Sequence, residues 1–138
     1  MKQRVPVSQI MSKELVTLTP TQSLYEAERL FKKHNIRHIP VVEGDKLIGI
    51  VSYSDLLRIS FADMTDGEEE VTSVVYDMYT IRQIMAKTPL TVSADTSIKE
   101  VAEILADQSF HSIPVVDNGR LVGLVTTTDL IKYLLEQY

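Results

Sequence analysis

Arg37 to Leu57, RHIPVVEGDKLIGIVSYSDLL, decides the fold, because the chain writes it twice. Seventy-four residues on, the stretch returns as HSIPVVDNGRLVGLVTTTDLI, His111 to Ile131, with no insertion or deletion. Pro40 and Pro114 align, as do Gly49 and Gly123, Ser52 and Thr126, and Asp55 and Asp129. Each copy predicts a β-hairpin followed by a helix. Ile39 to Val42 is a short apolar run containing a proline, a residue confined to strand starts and edges because it donates no ladder N–H. Gly44-Asp45 in one copy and Asn118-Gly119 in the other are turn residues. Asn-Gly favours a two-residue turn with both φ angles positive. Leu47 to Val51 and Leu121 to Val125 form the second strand, each interrupted by one glycine that signals a bulge or a close backbone approach. A hydroxyl-rich corner and an aspartate then open the next helix.

The repeat extends upstream. Gln9-Ile10-Met11 and Lys13 recur as Gln83-Ile84-Met85 and Lys87, a short helical lead-in ending at the methionine. Leu15 to Thr19 and Leu90 to Ser93 alternate polar and apolar residues, which predicts a short strand in each copy. Ser23 with Glu26, and Ser97 with Glu100, have the capping-box spacing of a helix start. Behind them Leu24, Ala27, Leu30 and Phe31, and again Ile98, Val101, Ile104 and Leu105, form helical stripes. These helices are expected to end near His34 and Gln108, ahead of the X-Pro strands. The expected organisation is repeat 1 over residues 1–59, an acidic linker with a lead-in helix over 60–80, and repeat 2 over 81–138. Within the linker, Asp66 to Glu70 reads as a solvated loop and Val71 to Thr80 as a helix. Two long copies are too few for a solenoid and suggest a pseudo-twofold pair with a cleft between copies.

With 138 residues, 44% hydrophobic and 24% charged, the composition is that of a globular chain able to bury a sizeable core. No apolar run reaches the roughly 18 residues needed to span a bilayer, and no signal-peptide core follows the N-terminal basic residues. The absence of cysteine excludes disulfides and thiolate metal sites. The expected location is the cytoplasm, without membrane association. A net charge of −5 and a pI near 5.1 argue against a nucleic-acid partner.

The corners Ser52-Tyr53-Ser54-Asp55 and Thr126-Thr127-Thr128-Asp129 carry the functional question. A helix N-terminus offers free N–H groups and partial positive charge to a phosphate. Hydroxyls add donors, and an aspartate accepts two hydrogen bonds from a vicinal diol such as that of a ribose. The alternative is plain helix capping, in which Ser or Thr and Asp only complete the turn.

Ile-Pro-Val-Val, a turn, apolar-Gly-apolar-Val, a hydroxyl residue, two more residues and Asp, present twice at equal spacing, resemble the cystathionine beta-synthase (CBS) domain. The tandem looks like a CBS pair, or Bateman module, over essentially the whole chain. The resemblance implies a mixed α+β fold, two pseudo-twofold related βαββα units packed sheet to sheet in a disc. It implies a regulatory module that binds AMP, ADP, ATP or S-adenosylmethionine, forms a homodimer, and controls a partner protein in trans. Carried onto this sequence, it places Asp129 on the ribose and Thr126 and Thr128 near the phosphate. The base would then lie near Val16, Thr17 and the Ile36 to Ile39 segment, in which Arg37, followed by His38, holds a position where family members often put a phosphate contact. In the second cleft Asp55, Ser52 and Ser54 take the same roles, with the base near Leu90, Thr91 and the Phe110 to Ile113 segment, in which His111, followed by Ser112, matches Arg37 at the phosphate-contact position. Of the two, the Asp129 cleft is favoured. Bound nucleotide would shift the repeats between orientations, with the 60–80 segment reporting the change.

Catalysis finds little support in the residues. His34 and His38 are four apart, but the helix is expected to stop between them, which removes a metal-ligand geometry. There is no cysteine nucleophile, no serine in a nucleophile elbow and no GxxxxGK[ST] loop. The rival reading is a protein-interaction or dimerisation scaffold whose clefts are vestigial.

Overall fold

The computed structural model describes residues 4–62 and 76–138, with the backbone alone at residues 60–62. The expected Asp66 to Glu70 loop and residues 71–75 of the expected Val71 to Thr80 helix lie outside the described residues, and of the rest of that helix residues 76–78 are helical. The chain forms two compact units: residues 16–88 make one, and residues 1–15 with 89–138 make the other.

In the unit of residues 16–88, α1 (Leu24–His34) opens on Ser23, whose hydroxyl accepts from the Glu26 N–H at 3.2 Å. The Glu26 carboxylate returns to the Ser23 N–H, so the expected capping box is complete. The helix stops at Asn35, which adopts φ 51°. Asparagine tolerates that left-handed position better than most residues. Strands β1 (His38–Glu43) and β2 (Lys46–Ser52) pair antiparallel through the Gly44-Asp45 turn. Ile48 is the extra residue of a bulge, since Val41 faces Gly49 while Val42 faces Leu47. Helix α2 (Tyr53–Ala62) follows at once. Short elements α3 (Ile81–Ile84) and β3 (Ala86–Lys87) complete the unit, with Gly49 opposite Lys87 and Ile50 opposite Ala86. The core gathers Leu18, Leu24, Ala27, Phe31, Ile39, Val41, Val51, Leu56, Tyr76, Ile81 and Met85.

The other unit repeats the plan. Helix α4 (Ile98–Asp107) is capped by the Ser97 hydroxyl, which accepts from Glu100 N–H at 3.1 Å. Only half of the expected box forms, because the Glu100 carboxylate instead pairs with Arg4 at 3.3 Å. Strands β4 (Ser112–Asp117) and β5 (Arg120–Thr126) turn at Asn118-Gly119, both with positive φ, and bulge at Val122. Helix α5 (Thr127–Glu136) ends the fold. Val7, Val101, Leu105, Ile113, Val115 and Val125 form its core.

The strands expected at Leu15 to Thr19 and Leu90 to Ser93 shrink to single parallel bridges, Leu18 with Val41 and Val92 with Val115. Leu18 N–H donates to the Pro40 carbonyl at 2.9 Å, and its own carbonyl accepts from Val42 N–H at 2.8 Å. One residue satisfies both bonds, and the turn beginning at Pro20 ends the extended run.

The lead-ins cross over. The turn at Val7–Gln9 belongs by sequence to repeat 1, yet it sits in the unit built from repeat 2. Val7 N–H donates to the Thr96 carbonyl at 2.7 Å, and Ser12 exchanges hydrogen bonds with Leu124 at 2.8 and 3.1 Å. The lead-in of repeat 2, α3 and β3, sits correspondingly on repeat 1. Each crossing is seated by a methionine over a glycine. A Cβ on Gly123 would lie 2.4 Å from Met11 Sδ, and one on Gly49 2.4 Å from Met85 Sδ. The glycines therefore serve close approach, as their strand positions suggested.

Candidate functional site

Both corners arise where a hairpin strand runs directly into a helix. In the second repeat Thr126 keeps extended backbone, φ −122° and ψ 165°, which makes it the N-cap of α5. Its hydroxyl accepts from Asp129 N–H at 3.2 Å, and the Asp129 carboxylate accepts from Thr126 N–H at 2.9 Å. Asp129 is thus the third helical residue and closes a capping box rather than opening the helix itself. Thr127 binds the chain behind it, donating from N–H and hydroxyl to the His111 carbonyl at 2.9 and 3.3 Å. Thr128 is exposed and Asp129 half-buried.

The first repeat builds the same backbone with a different charge pattern. The Ser52 hydroxyl accepts from Asp55 N–H at 3.1 Å, and Tyr53 N–H donates to the Arg37 carbonyl at 2.9 Å. The Asp55 carboxylate, however, is paired with Arg58 one turn along α2. Sequence reading missed Arg58, although three-residue helical spacing between opposite charges was the available signal.

The hairpin register brings further expected residues to each corner. His38 faces Ser52 across the first ladder, and Ser112 faces Thr126 across the second. Arg37, Ser54 and His111 are exposed, while Val16, Thr17 and His38 are half-buried. Thr91 is exposed and precedes the Val92 bridge. Ile39 and Ile113 have 0% exposure, so their side chains belong to the cores. Ser112 is buried as well. Helix α1 ends at His34 and β1 starts at His38, so these two histidines do not share a helix face. Among the described residues, no group of three or more His, Cys, Asp or Glu side chains could hold a metal ion. Nor is any described helix long and apolar enough to cross a membrane.

What the corners offer is a pair of hydroxyls and a carboxylate at a helix N-terminus, twice, on a strand-turn-strand-helix frame. Residues 7–62 and 81–136 each match the CBS domain family. The chain belongs to that family. It is a tandem CBS pair of mixed α and β structure with antiparallel hairpins. Inosine-5′-monophosphate dehydrogenase of Korarchaeum cryptofilum is 34% identical to it over 119 residues, covering 86% of this chain and 22% of the enzyme. The chain thus spans about a fifth of that relative's length. The crystal structure of CBSX2 in complex with AMP matches with a TM-score of 0.80 and 25% identity, covering 96% of this chain and 98% of CBSX2. The CBS domain pair of protein MJ0100, in complex with 5′-methylthioadenosine and S-adenosyl-L-methionine, matches with a TM-score of 0.81 and 28% identity. That match covers 99% of this chain and 100% of the MJ0100 pair.

Proposed function

We propose that this CBS pair is a regulatory module that senses an adenosine-containing ligand, AMP, ADP, ATP or S-adenosylmethionine, at its hydroxyl–aspartate corners. The observation carrying the reading is the Thr126–Asp129 box. One carboxylate oxygen of Asp129 is held by the Thr126 N–H at 2.9 Å, which fixes the carboxylate's direction before any ligand arrives. A fixed acceptor loses little freedom when it takes the hydroxyls of a ribose. Thr128, exposed beside it in the first turn of α5, supplies donors for a phosphate, while the N–H groups of Thr127 and Asp129 already hold the His111 carbonyl and the Thr126 hydroxyl. Asp55 with Ser52 and Ser54 forms the second corner, and Arg37, His38, His111 and Ser112 stand next to the two corners in their respective hairpins. The complexes of CBSX2 with AMP and of the MJ0100 pair with adenosine derivatives support this ligand class. The role is regulatory rather than catalytic, exerted on a partner protein in trans by a homodimer.

Thermal melting with AMP, ADP, ATP, S-adenosylmethionine and NAD tests the proposal on the parent, Asp55→Ala and Asp129→Ala. A ligand that binds only the folded chain adds about 2.7 kcal/mol at a hundredfold excess over its dissociation constant. The expected result is a shift with at least one adenosine ligand that Asp129→Ala removes. If no ligand shifts the parent, the scaffold reading takes over. Ile131, Leu134 and Leu135, 53, 55 and 66% exposed on α5, would then be the apolar face to examine for self-association.

A further inference from the structure

Sulfur in this chain is confined to its five methionines, because there is no cysteine. Three of them lie among the described residues, in unlike surroundings. Met78 is 65% exposed, Met85 is buried in a core, and Met11 is half-buried. Met11 belongs to the unit of residues 1–15 and 89–138, where it packs against the core around Val7 and Val125. Its thioether lies along Gly123: a Cβ there would meet Met11 Cγ, Sδ and Cε at 2.8, 2.4 and 3.1 Å. Met11 is therefore the apolar clasp of the N-terminal lead-in. Being half-buried, it lies within reach of a small oxidant from which Met85 is shielded.

The backbone around the clasp has no donor to spare for a new acceptor. Val7 N–H donates to the Thr96 carbonyl at 2.7 Å, and Ser8 N–H to the Ala94 carbonyl at 3.1 Å. Gln9 N–H is taken by Pro6 at 3.1 Å, and those of Ile10 and Met11 by Val7 at 3.0 Å. Ser12 N–H donates to Leu124 at 2.8 Å and receives the Leu124 N–H at 3.1 Å. A sulfoxide turns the flexible apolar side chain of methionine into a polar one with a strong acceptor oxygen. Left against the core without a donor, that oxygen costs its lost hydration. Water supplies the donor once the side chain lifts off Gly123, and the Ser12–Leu124 bonds hold the very next residue. Met78, already exposed, takes an oxygen and stays hydrated.

We propose that Met11 is a peroxide-sensitive modification site, a clasp whose sulfoxide releases the N-terminal lead-in from β5. A lone pair of Met11 Sδ attacks one oxygen of hydrogen peroxide. The S–O bond forms as the O–O bond breaks, and the second oxygen leaves as water. Sulfur loses two electrons and the peroxide gains them. Methionine sulfoxide reductase reverses the step, so the clasp closes again. This oxidative input uses no residue of the hydroxyl–aspartate corners; it goes beyond the nucleotide reading and stands without it.

The full chain is treated with hydrogen peroxide in steps, with peptide mapping by mass to locate each sulfoxide and amide exchange of Ser12 and Leu124 to report the clasp. Met78 should oxidise first and leave both amides unchanged, and Met11 should follow well before Met85. Once Met11 is oxidised, the Ser12 and Leu124 amides should exchange about tenfold faster, the effect of one acceptor left without its donor. Methionine sulfoxide reductase should restore the slow exchange. Met11→Leu, which keeps the apolar volume, should hold both amides protected in peroxide. Met11→Gln, polar but inert to peroxide, should release them without it. Three results would overturn the proposal: Met11 oxidised no faster than Met85, slow exchange kept in chains that carry the Met11 sulfoxide, or undiminished release by peroxide in Met11→Leu. The first two are read on the parent chain and need no variant to fold.

Discussion

The two helix-opening corners share a backbone and differ in what their carboxylates hold. Ser52 and Thr126 accept from the aspartate N–H three residues on at nearly the same distance, 3.1 and 3.2 Å. Asp129 then turns back to its own strand, whereas Asp55 turns forward to Arg58. The position matching Arg58 is Lys132, a point charge on a flexible stem rather than a planar fork suited to a carboxylate. The lesson is that spacing within a motif sets the backbone, while a residue outside it decides what the functional atom faces. On the proposed reading, a sugar diol arriving at Asp129 would find the carboxylate already aimed. At Asp55 it would first have to displace the Arg58 guanidinium.

The largest difference between the repeats should appear in their cores. Leu56 on α2 has 0% exposure, whereas Leu130, its counterpart on α5, is only partly buried. Leu56→Ala should cost about 3–4 kcal/mol, within the range for emptying a closed core position, and Leu130→Ala about half of that. Urea unfolding of both variants measures it. Equal losses would mean that α2 and α5 are seated alike, contrary to their exposure.

Next in size are the glycines under the crossing methionines. The three atoms nearest a Cβ on Gly123 all belong to the flexible Met11 side chain, whereas one on Gly49 also meets the Ala86 carbonyl at 3.0 Å. Gly49→Ala should therefore destabilise by about 2–3 kcal/mol and Gly123→Ala by about 1 kcal/mol, both as overpacking. Adding Met11→Ala should recover most of the Gly123→Ala loss. Adding Met85→Ala should recover less of the Gly49→Ala loss, because the backbone oxygen remains. Double-mutant cycles in denaturant give the coupling directly.

These methionines also mark the limit of what the sequence made legible. The turn residues, bulge glycines, helix caps and helix ends follow from local chemistry, and each copy confirms the other. The crossing of the lead-ins does not. Because both copies keep the methionine and the glycine at equal spacing, Met11 satisfies the pattern over Gly49 or Gly123 equally well, and only the folded chain distinguishes them. The short strands were over-read for a related reason: alternation at Leu15 to Thr19 reports which residues are buried, not how many ladder bonds they make. At the site, the hydroxyl–aspartate spacing was visible, but Arg58 was not, since its meaning depends on the direction of Asp55.

A smaller effect separates the caps. Thr126→Ala removes a hydroxyl from a reciprocal box and leaves the Asp129 carboxylate with a less constrained partner. Ser52→Ala removes a one-way cap. Losses of about 1 kcal/mol and somewhat less are expected, in the ordinary range for N-cap hydroxyls. Thr126→Ala should also weaken any adenosine-ligand melting shift through Asp129, while Ser52→Ala should leave an Asp129-dependent shift intact. A loss of that shift in Ser52→Ala alone would transfer the working corner to the first repeat.

The smallest expected effect compares two capping boxes that differ in charge. At α1 the third helical residue is Glu26, and at α3 it is Gln83, which closes the same box on Thr80 with a neutral amide. The Gln22 amide, and then the Ser23 N–H, hold the Glu26 carboxyl below its ordinary value. A carboxyl lowered in the folded chain stabilises it fully above the unfolded-state value, and that contribution fades as the pH falls through the folded value. Glu26→Gln keeps a side chain able to accept from Ser23 N–H, as Gln83 does from Thr80 at 2.8 Å, but has nothing to protonate. Melting should therefore change little at neutral pH and lose part of its decline between about pH 5 and pH 3. If the variant melts with the parent's full acid dependence, the charge on Glu26 contributes nothing to that box. The two helix starts would then be equivalent, despite one being ionised and the other not.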